Sequence, residues 1–128
     1  MDVYKTHGAF SWSELMTTDP KAAASFYGGL FGWTCSDMPV ATGEYRVASV
    51  GETMVAGIMG MPPDAPPMPP AWGCYVTVTD LDAALARCDA LGGKTVMPPM
   101  DVTKVGRMAV IQDPQGAVLS LMQYNPAP

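Results

Sequence analysis

Glu14 is the acidic side chain best placed in this sequence to do chemistry, because it shares a predicted strand face with aromatic residues. Residues 9–16 alternate with the period of a β-strand, which puts Trp12 and Glu14 on the same face. A carboxylate walled by rings loses water, so it could serve as a base near neutral pH or anchor a ligand. The structural alternative is an ion pair with Arg46 or Arg107, or a hydrogen bond from a Trp or Tyr donor.

An internal repeat positions this strand within the chain. Residues 18–33 align with residues 79–94 at an offset of 61. Each copy starts with a Thr-Asp that can cap a helix and ends at a glycine suited to a left-handed residue. The pattern predicts helices over Asp19–Phe31 and Asp80–Leu91, each with one apolar stripe, and the stripe of the second helix is expected to face inward. The stripes are Ala22, Ala23, Phe26, Tyr27 and Leu30 in the first helix and Leu81, Ala84, Leu85, Cys88 and Leu91 in the second.

Short strands surround each helix in the same order. The predicted strands are residues 9–16, 34–40, 45–50 and 53–59 in the first half and 72–78, 94–97, 107–112 and 117–123 in the second. A proline-rich stretch at residues 61–71 favours a stiff spacer over a ligand for a proline-recognition module. Residues 1–128 therefore read as one domain with modules 1–60 and 72–128, and neither module could bury its sheet and helix alone.

Composition excludes several classes of partner. The 128 residues carry a net charge of −5, and their seven Lys and Arg side chains never cluster, so nucleic acid is not expected as a partner. The sequence has no signal-peptide pattern and no apolar run near the roughly 20 residues of a membrane span. We therefore expect a cytoplasmic protein without a membrane partner. Three cysteines without C-x-x-C spacing argue against a disulfide framework.

Several motifs together resemble the vicinal oxygen chelate superfamily, which includes glyoxalase I, bleomycin-resistance proteins and extradiol dioxygenases. The motifs are Asp19 with Phe26-Tyr27 and Leu30–Trp33, the helix start Val78–Ala83, the turn Asp113-Pro114-x-Gly116, and the Trp12-x-Glu14-Leu15 and Gly106-Arg107 pairs that look like a glyoxalase-like subgroup. The resemblance implies an α+β fold of two paired βαβββ modules. These modules would form a curved mixed sheet around a cup for a small molecule, with both helices outside.

The resemblance also implies four metal-ligand positions, and this sequence departs from the family at all of them. The positions fall on Trp12, Gly57, Gly73 and Ser120, where metal-binding members typically have His, Gln or Glu. Divalent cations need basic nitrogen or anionic oxygen donors, so we expect no catalytic metal and no other cofactor. The only histidine, His7, lies upstream of the first strand and is expected to be a solvated terminal residue.

The predicted cup would hold a small set of side chains from both modules. The candidate ligand-binding residues are Trp12, Glu14, Tyr75, Ser120 and Met122, with Arg107 at the rim. A structural ion pair is the alternative for Arg107.

Two functions remain open. One is metal-free binding of a small hydrophobic or aromatic molecule; the other is a glyoxalase-like lyase, isomerase or hydroxylase with Glu14 as acid or base. Metal-dependent glyoxalase or dioxygenase activity is not expected. We also expect a homodimer.

Overall fold

The fold contains the predicted βαβββ element order twice. The computed structural model describes residues 1–38, 45–61, 68–102 and 104–126. The chain forms two compact units, which we call the first unit (residues 12–73) and the second unit (residues 1–11 and 74–128). The boundaries between the units fall inside the first and fifth strands, so each unit has one helix and all or the larger part of four strands of a mixed sheet. The predicted α+β class is confirmed.

The first unit is built on the strand order β2-β3-β4-β1. Strand β1 runs parallel to β4, whereas β2–β3 and β3–β4 are antiparallel. Its elements are β1 (Phe10–Thr17), α1 (Pro20–Phe31), β2 (Thr34–Asp37), β3 (Tyr45–Val50) and β4 (Thr53–Gly60).

The second unit repeats this arrangement with the order β5-β8-β7-β6. Strand β5 is parallel to β8, and the pairs β7–β8 and β6–β7 are antiparallel. Its elements are β5 (Ala71–Thr77), α2 (Leu81–Ala90), β6 (Lys94–Val102), β7 (Gly106–Gln112) and β8 (Val118–Tyr124).

Both helices begin at the aspartates that the sequence indicates. Asp19 Oδ1 accepts a hydrogen bond from Ala22 N at 3.0 Å, and Asp80 Oδ1 accepts one from Ala83 N at 3.1 Å. Each bond satisfies a backbone donor that the first helical turn leaves without a partner. Helix α1 stops at Gly32, whose φ of 77° is a left-handed conformation that glycine adopts without strain.

The core of the second unit lies under α2. Leu81 is fully buried, and Leu85 packs with it against strand residues that point to the same face of the sheet. These strand residues include Ala109 and Leu121. The flanking residues of these strands alternate to the opposite face, which places Tyr75, Met108, Ser120 and Met122 on the side away from α2.

The predicted apolar stripe of α1 is shielded from solvent only in part, since Ala23 and Tyr27 are half-buried. Phe26 and Leu30 are 62% and 58% exposed, while the residues that turn away from solvent include Ala24 and Gly28. Small side chains at these positions let the helix approach its neighbours closely, and a Cβ at Gly28 would lie only 3.2 Å from Trp33 O. Leu91 of the second stripe is also 62% exposed, because it is the C-cap residue beyond the end of α2.

Strand β6 is longer than predicted, and the predicted second strand is described only in part. Strand β6 continues to Val102 through Pro98 and Pro99, which lack the N–H of a ladder residue. This is tolerated because β6 is at the end of the strand order and its pairing with β7 is irregular around Met97. Strand β2 ends at Asp37. Residues 39–44 and residues 62–67 of the predicted spacer lie outside the described residues.

Leu81→Ala should lower the free energy of unfolding by about 2–5 kcal/mol, because it removes a fully buried side chain and leaves a cavity. Chemical denaturation measures this loss. Leu91→Ala is the matched control, since the same chemical change at an exposed position should cost about 0.5 kcal/mol or less. Equal losses in the two variants would contradict the placement of the core under α2.

Candidate functional site

A hydrogen-bonded chain of three side chains lies in the first unit. Trp12 Nε1 donates to Tyr45 Oη at 3.1 Å, and Tyr45 Oη donates to Glu14 Oε2 at 2.7 Å. All three residues are half-buried. The indole N–H occupies an acceptor site on the phenol oxygen, so the phenol hydrogen is directed to the carboxylate. We call these three residues the Trp-Tyr-Glu chain.

Strand register brings the Trp-Tyr-Glu chain together. Trp12 and Glu14 are two residues apart on β1 and therefore share a face. Glu14 is aligned with Gly57 on the parallel strand β4, and Tyr45 on β3 is aligned with Met59. The Tyr45 ring leans back across Gly57, where an added Cβ would overlap its hydroxyl. Because Gly57 has no side chain, the Tyr45 ring can pass over it and donate its hydrogen bond to Glu14.

The contact between Tyr45 Oη and Glu14 Oε2 is a short hydrogen bond to a carboxyl group, which is negatively charged when it is ionised. Such bonds are stronger than neutral ones, and they contribute about 1.5–3 kcal/mol each. The bond stabilises the carboxylate form of Glu14 and orients it relative to the Trp12 ring. The arrangement offers a ligand an aromatic wall beside an anionic acceptor and a phenol.

The sequence analysis did not identify Tyr45 as a site residue. It did include a hydrogen bond from a Trp or Tyr donor as the structural alternative for Glu14, and the Tyr45 bond is of this kind. Arg46, one of the two cations proposed as ion-pair partners of Glu14, contacts Asp37 at 3.1 Å. A glycine inside a strand pattern is the one signal that could have pointed to Tyr45, because it marks a close approach by another group.

The other predicted ligand-binding residues lie on β5 and β8 of the second unit. Tyr75 is buried, and its hydroxyl donates to Met108 Sδ at 3.7 Å. Ser120 is aligned with Tyr75, and Met122 is aligned with Thr77 one step further along. Tyr75, Ser120 and Met122 therefore share one face of the second unit's sheet, and their role in binding stays a prediction.

Arg107 and His7 both have partners within the second unit. Arg107 Nη1 lies 3.4 Å from Asp82 Oδ2, and its Nε lies 3.8 Å from Asp101 Oδ1. These exposed ion pairs are the structural role considered for Arg107, and such pairs contribute little to stability. His7 Nδ1 accepts a hydrogen bond from Thr79 N at 3.2 Å, which ties the N-terminal segment to the start of α2.

The side chains at the metal-ligand positions that the resemblance implies do not suit a divalent metal ion. Of the positions identified from the resemblance, Trp12 uses its N–H as a donor to Tyr45, and Gly57 and Gly73 have no side chain. The space beside Gly57 is filled by the Tyr45 ring. Among the described residues, His, Cys, Asp and Glu nowhere gather in a group of three that could hold an ion.

An open groove of about 380 Å³ lies elsewhere on the first unit. It runs along α1 and is lined by helix residues that include Phe26 and Tyr27 and by residues 70–72. The six predicted ligand-binding residues do not line this groove. Its floor is largely apolar, so it offers a surface for contact rather than a set of catalytic groups.

Family comparison places these features in a known class. Residues 9–121 match the model of the Glyoxalase/Bleomycin resistance protein/Dioxygenase superfamily. The match covers most of the chain, so the protein belongs to this family, and the resemblance inferred from its motifs is confirmed. Across the described residues, no helix is long and apolar enough to cross a bilayer.

Two curated proteins are similar to this chain over most of its length. The chain is 44% identical over 121 residues to "Putative glyoxylase CFP32" of Mycobacterium tuberculosis (strain CDC 1551 / Oshkosh), covering 92% of this chain and 46% of the relative. It is 36% identical over 127 residues to "Anthracycline biosynthesis protein DnrV" of Streptomyces peucetius, covering 89% and 46%. The chain thus spans about half the length of these curated relatives.

A solved structure supports the fold. The methylmalonyl-CoA epimerase of Mycobacterium tuberculosis superposes with a TM-score of 0.67, covering 93% of this chain and 89% of the epimerase. Its sequence identity is only 18%, so the likeness concerns the fold alone.

Gly57→Ala should destabilise the protein by about 1–3 kcal/mol, because the new methyl group overlaps Tyr45 Oη and pushes the ring away from Glu14. Gly73→Ala is a matched control on another strand. The atom nearest its added Cβ is Glu14 O at 3.9 Å, so this change should be neutral or stabilise by up to about 1 kcal/mol. Urea unfolding compares the two variants.

A double-mutant cycle identifies the cause of the Gly57→Ala effect. In a Tyr45→Ala background the overlap is removed, and Gly57→Ala should then cost less than about 0.5 kcal/mol. A penalty that stays the same in both backgrounds would contradict the contact between Gly57 and Tyr45.

Proposed function

We propose that this glyoxalase-like protein binds a small hydrophobic or aromatic molecule without a catalytic metal, and that the Trp-Tyr-Glu chain recognises this ligand. The observation that carries the proposal is the 2.7 Å bond from Tyr45 Oη to Glu14 Oε2 beside the Trp12 ring. It places a fixed polar end on a face that is otherwise formed by apolar residues such as Met16 and Met59. An apolar wall with a few oriented polar groups is the usual construction of a small-molecule site.

The aromatic component of the proposed site favours a flat ligand. The Trp12 indole gives a broad face for stacking, and its polar N–H is already satisfied by Tyr45. A ligand that carries a hydroxyl or amine could donate to Glu14 while its rings cover Trp12. The 36% identity to a protein named for anthracycline biosynthesis supports a fused-ring ligand of that class.

Tyr75, Ser120 and Met122 are proposed as ligand-binding residues of the second unit. They combine a phenol, a hydroxyl and a flexible thioether on one sheet face. Arg107 at the rim is proposed only as an anchor for a ligand anion, in competition with Asp82 and Asp101.

An enzymatic role is the second candidate, and the Tyr45–Glu14 contact favours it as well. In such a reaction the Glu14 carboxylate would accept a proton from a carbon acid next to a carbonyl group. Tyr45 would hold the carboxylate in position and adjust its basicity through their hydrogen bond. The resulting carboxylic acid could return the proton to the carbanion at another face or position to give an isomerase product. In a lyase reaction the carbanion would instead expel a leaving group from the neighbouring carbon, and the carboxylic acid would protonate that group. No step in this scheme requires a metal.

We also propose that the protein is cytoplasmic and that it assembles as a homodimer. The acidic chain, with seven basic residues against twelve acidic ones, supports a small-molecule ligand rather than nucleic acid.

Ligand binding is tested by thermal unfolding with daunorubicin as the anthracycline and with methylmalonyl-CoA as a thioester probe. A specific ligand at 100 times its Kd should stabilise the native state by about 2.7 kcal/mol. We expect stabilisation by daunorubicin, and its loss in Glu14→Gln. Glu52→Gln, the same chemical change at an exposed glutamate outside the proposed site, is the control for a general charge effect. Equal affinity of wild type and Glu14→Gln would reduce Glu14 to a structural role, and product formation would favour the enzyme.

Metal independence is tested on purified protein. Elemental analysis should find zinc, manganese, iron and nickel well below one per chain, and added Zn²⁺ or Mn²⁺ should leave the midpoint of unfolding unchanged. The reason is the lack of imidazole or carboxylate at Trp12, Gly57 and Gly73. One tightly held divalent ion per chain that is required for ligand binding would contradict the proposal.

A further inference from the structure

Helix α1 and its neighbours carry a continuous exposed apolar surface, which we call the aromatic face. It consists of Phe26, Tyr27, Leu30, Phe31, Trp33 and Trp72, all in the first unit. Phe26, Leu30 and Phe31 are each about three-fifths exposed, and Trp72 is 40% exposed. The rings are in mutual contact, with Tyr27 at 5.3 Å from Trp72 and Phe31 at 5.2 Å from Trp33 between ring centroids.

The internal repeat shows that the fold itself does not require this surface. At the offset of 61 residues, Phe26 corresponds to Arg87 and Trp33 to Lys94. The second copy therefore folds with a cation on α2 and another at the start of β6, where the first copy has aromatic rings. The aromatic face belongs to one module only, so a role beyond folding has to explain it.

Two features of the aromatic face would allow another apolar surface to cover it. Trp72 Nε1 donates to Tyr27 Oη at 3.1 Å, so its indole N–H keeps a partner when water is removed. The six residues carry no charge. Interface cores share both features, since they are rich in Trp, Tyr and Phe and depleted in charged residues.

The area of the aromatic face suits the centre of a protein interface. Aromatic side chains bury about 150–250 Å² each, so four side chains that are roughly half exposed present on the order of 400 Å². A standard interface takes about 800 Å² from each partner. A polar rim around the face would supply the remainder.

We propose that the aromatic face binds the same face of a second copy of this chain, which makes it the interface of the homodimer proposed above. Each copy has a net charge of −5, so two copies repel except where they meet through an uncharged surface. The groove beside Phe26 and Tyr27 lies at the edge of the face. Each copy thus presents both projecting rings and a groove, and a twofold contact requires such self-complementarity.

The test is light scattering of the full chain at about 50 µM, a concentration at which ordinary dimers are populated. Wild type should have twice the chain mass of 13.5 kDa. Phe26→Arg, which introduces the residue found at the equivalent position of α2, and Phe31→Lys should each run as 13.5 kDa monomers. Their unfolding transitions should remain cooperative, since both side chains are largely exposed. Leu91→Lys, at an equally exposed apolar position of the second unit, should stay dimeric.

Each other outcome has a distinct meaning. A monomeric wild type overturns both the homodimer and this interface while leaving ligand binding by the Trp-Tyr-Glu chain intact. A dimer that survives both Phe26→Arg and Phe31→Lys overturns the aromatic face as the interface but retains the homodimer. A monomer that sediments with phosphatidylglycerol vesicles through Phe26 and Phe31 assigns the face to a lipid surface and contradicts the proposal.

Discussion

The contact between Tyr45 and Gly57 is the constraint on which the proposed site depends. Because Gly57 has no side chain, the Tyr45 ring can cross β4 and bring its hydroxyl to Glu14 on β1. The same hydroxyl accepts the Trp12 N–H, so one oxygen fixes two side chains of β1. In metal-binding members of this fold the resemblance expects a ligand at the position of Gly57. In this chain the Tyr45 phenol fills the space beside Gly57, and Tyr45 and Glu14 are the polar groups of the proposed site.

The two units show how one βαβββ pattern has diverged. Glu14 is aligned with Gly57 in the first unit, as Tyr75 is aligned with Ser120 in the second. At these equivalent positions the first unit has a carboxylate bonded to a phenol, while the second has a phenol bonded to the weak acceptor Met108 Sδ. The helices differ as well, since α2 buries Leu81 in a core and α1 exposes aromatic rings. The carboxylate–phenol bond and the exposed aromatic rings of the helix are thus both found in the first unit.

Local signals in the sequence predicted the helices well, because caps and terminal glycines act within a few residues. Asp19 and Asp80 cap their helices as expected, and the turn after Asp113 is closed by its own carboxylate. Tyr45 was missed because its position over Gly57 follows from the pairing of three strands, which no local pattern encodes. The exposure of Phe26 and Leu30 was not predicted, because hydrophobicity does not register that small residues such as Gly28 permit close approach.

The most direct test of the account follows the indole N–H resonance of Trp12 by NMR, in wild type and Tyr45→Phe, during a titration with Mn²⁺. We predict that Tyr45→Phe shifts this resonance, because the indole loses its acceptor at 3.1 Å. Substoichiometric Mn²⁺ should leave its line width in wild type no broader than that of the other two tryptophans, because the proposed site has no imidazole at the predicted ligand positions. Selective broadening of the Trp12 signal, or an unchanged shift in Tyr45→Phe, would contradict the account.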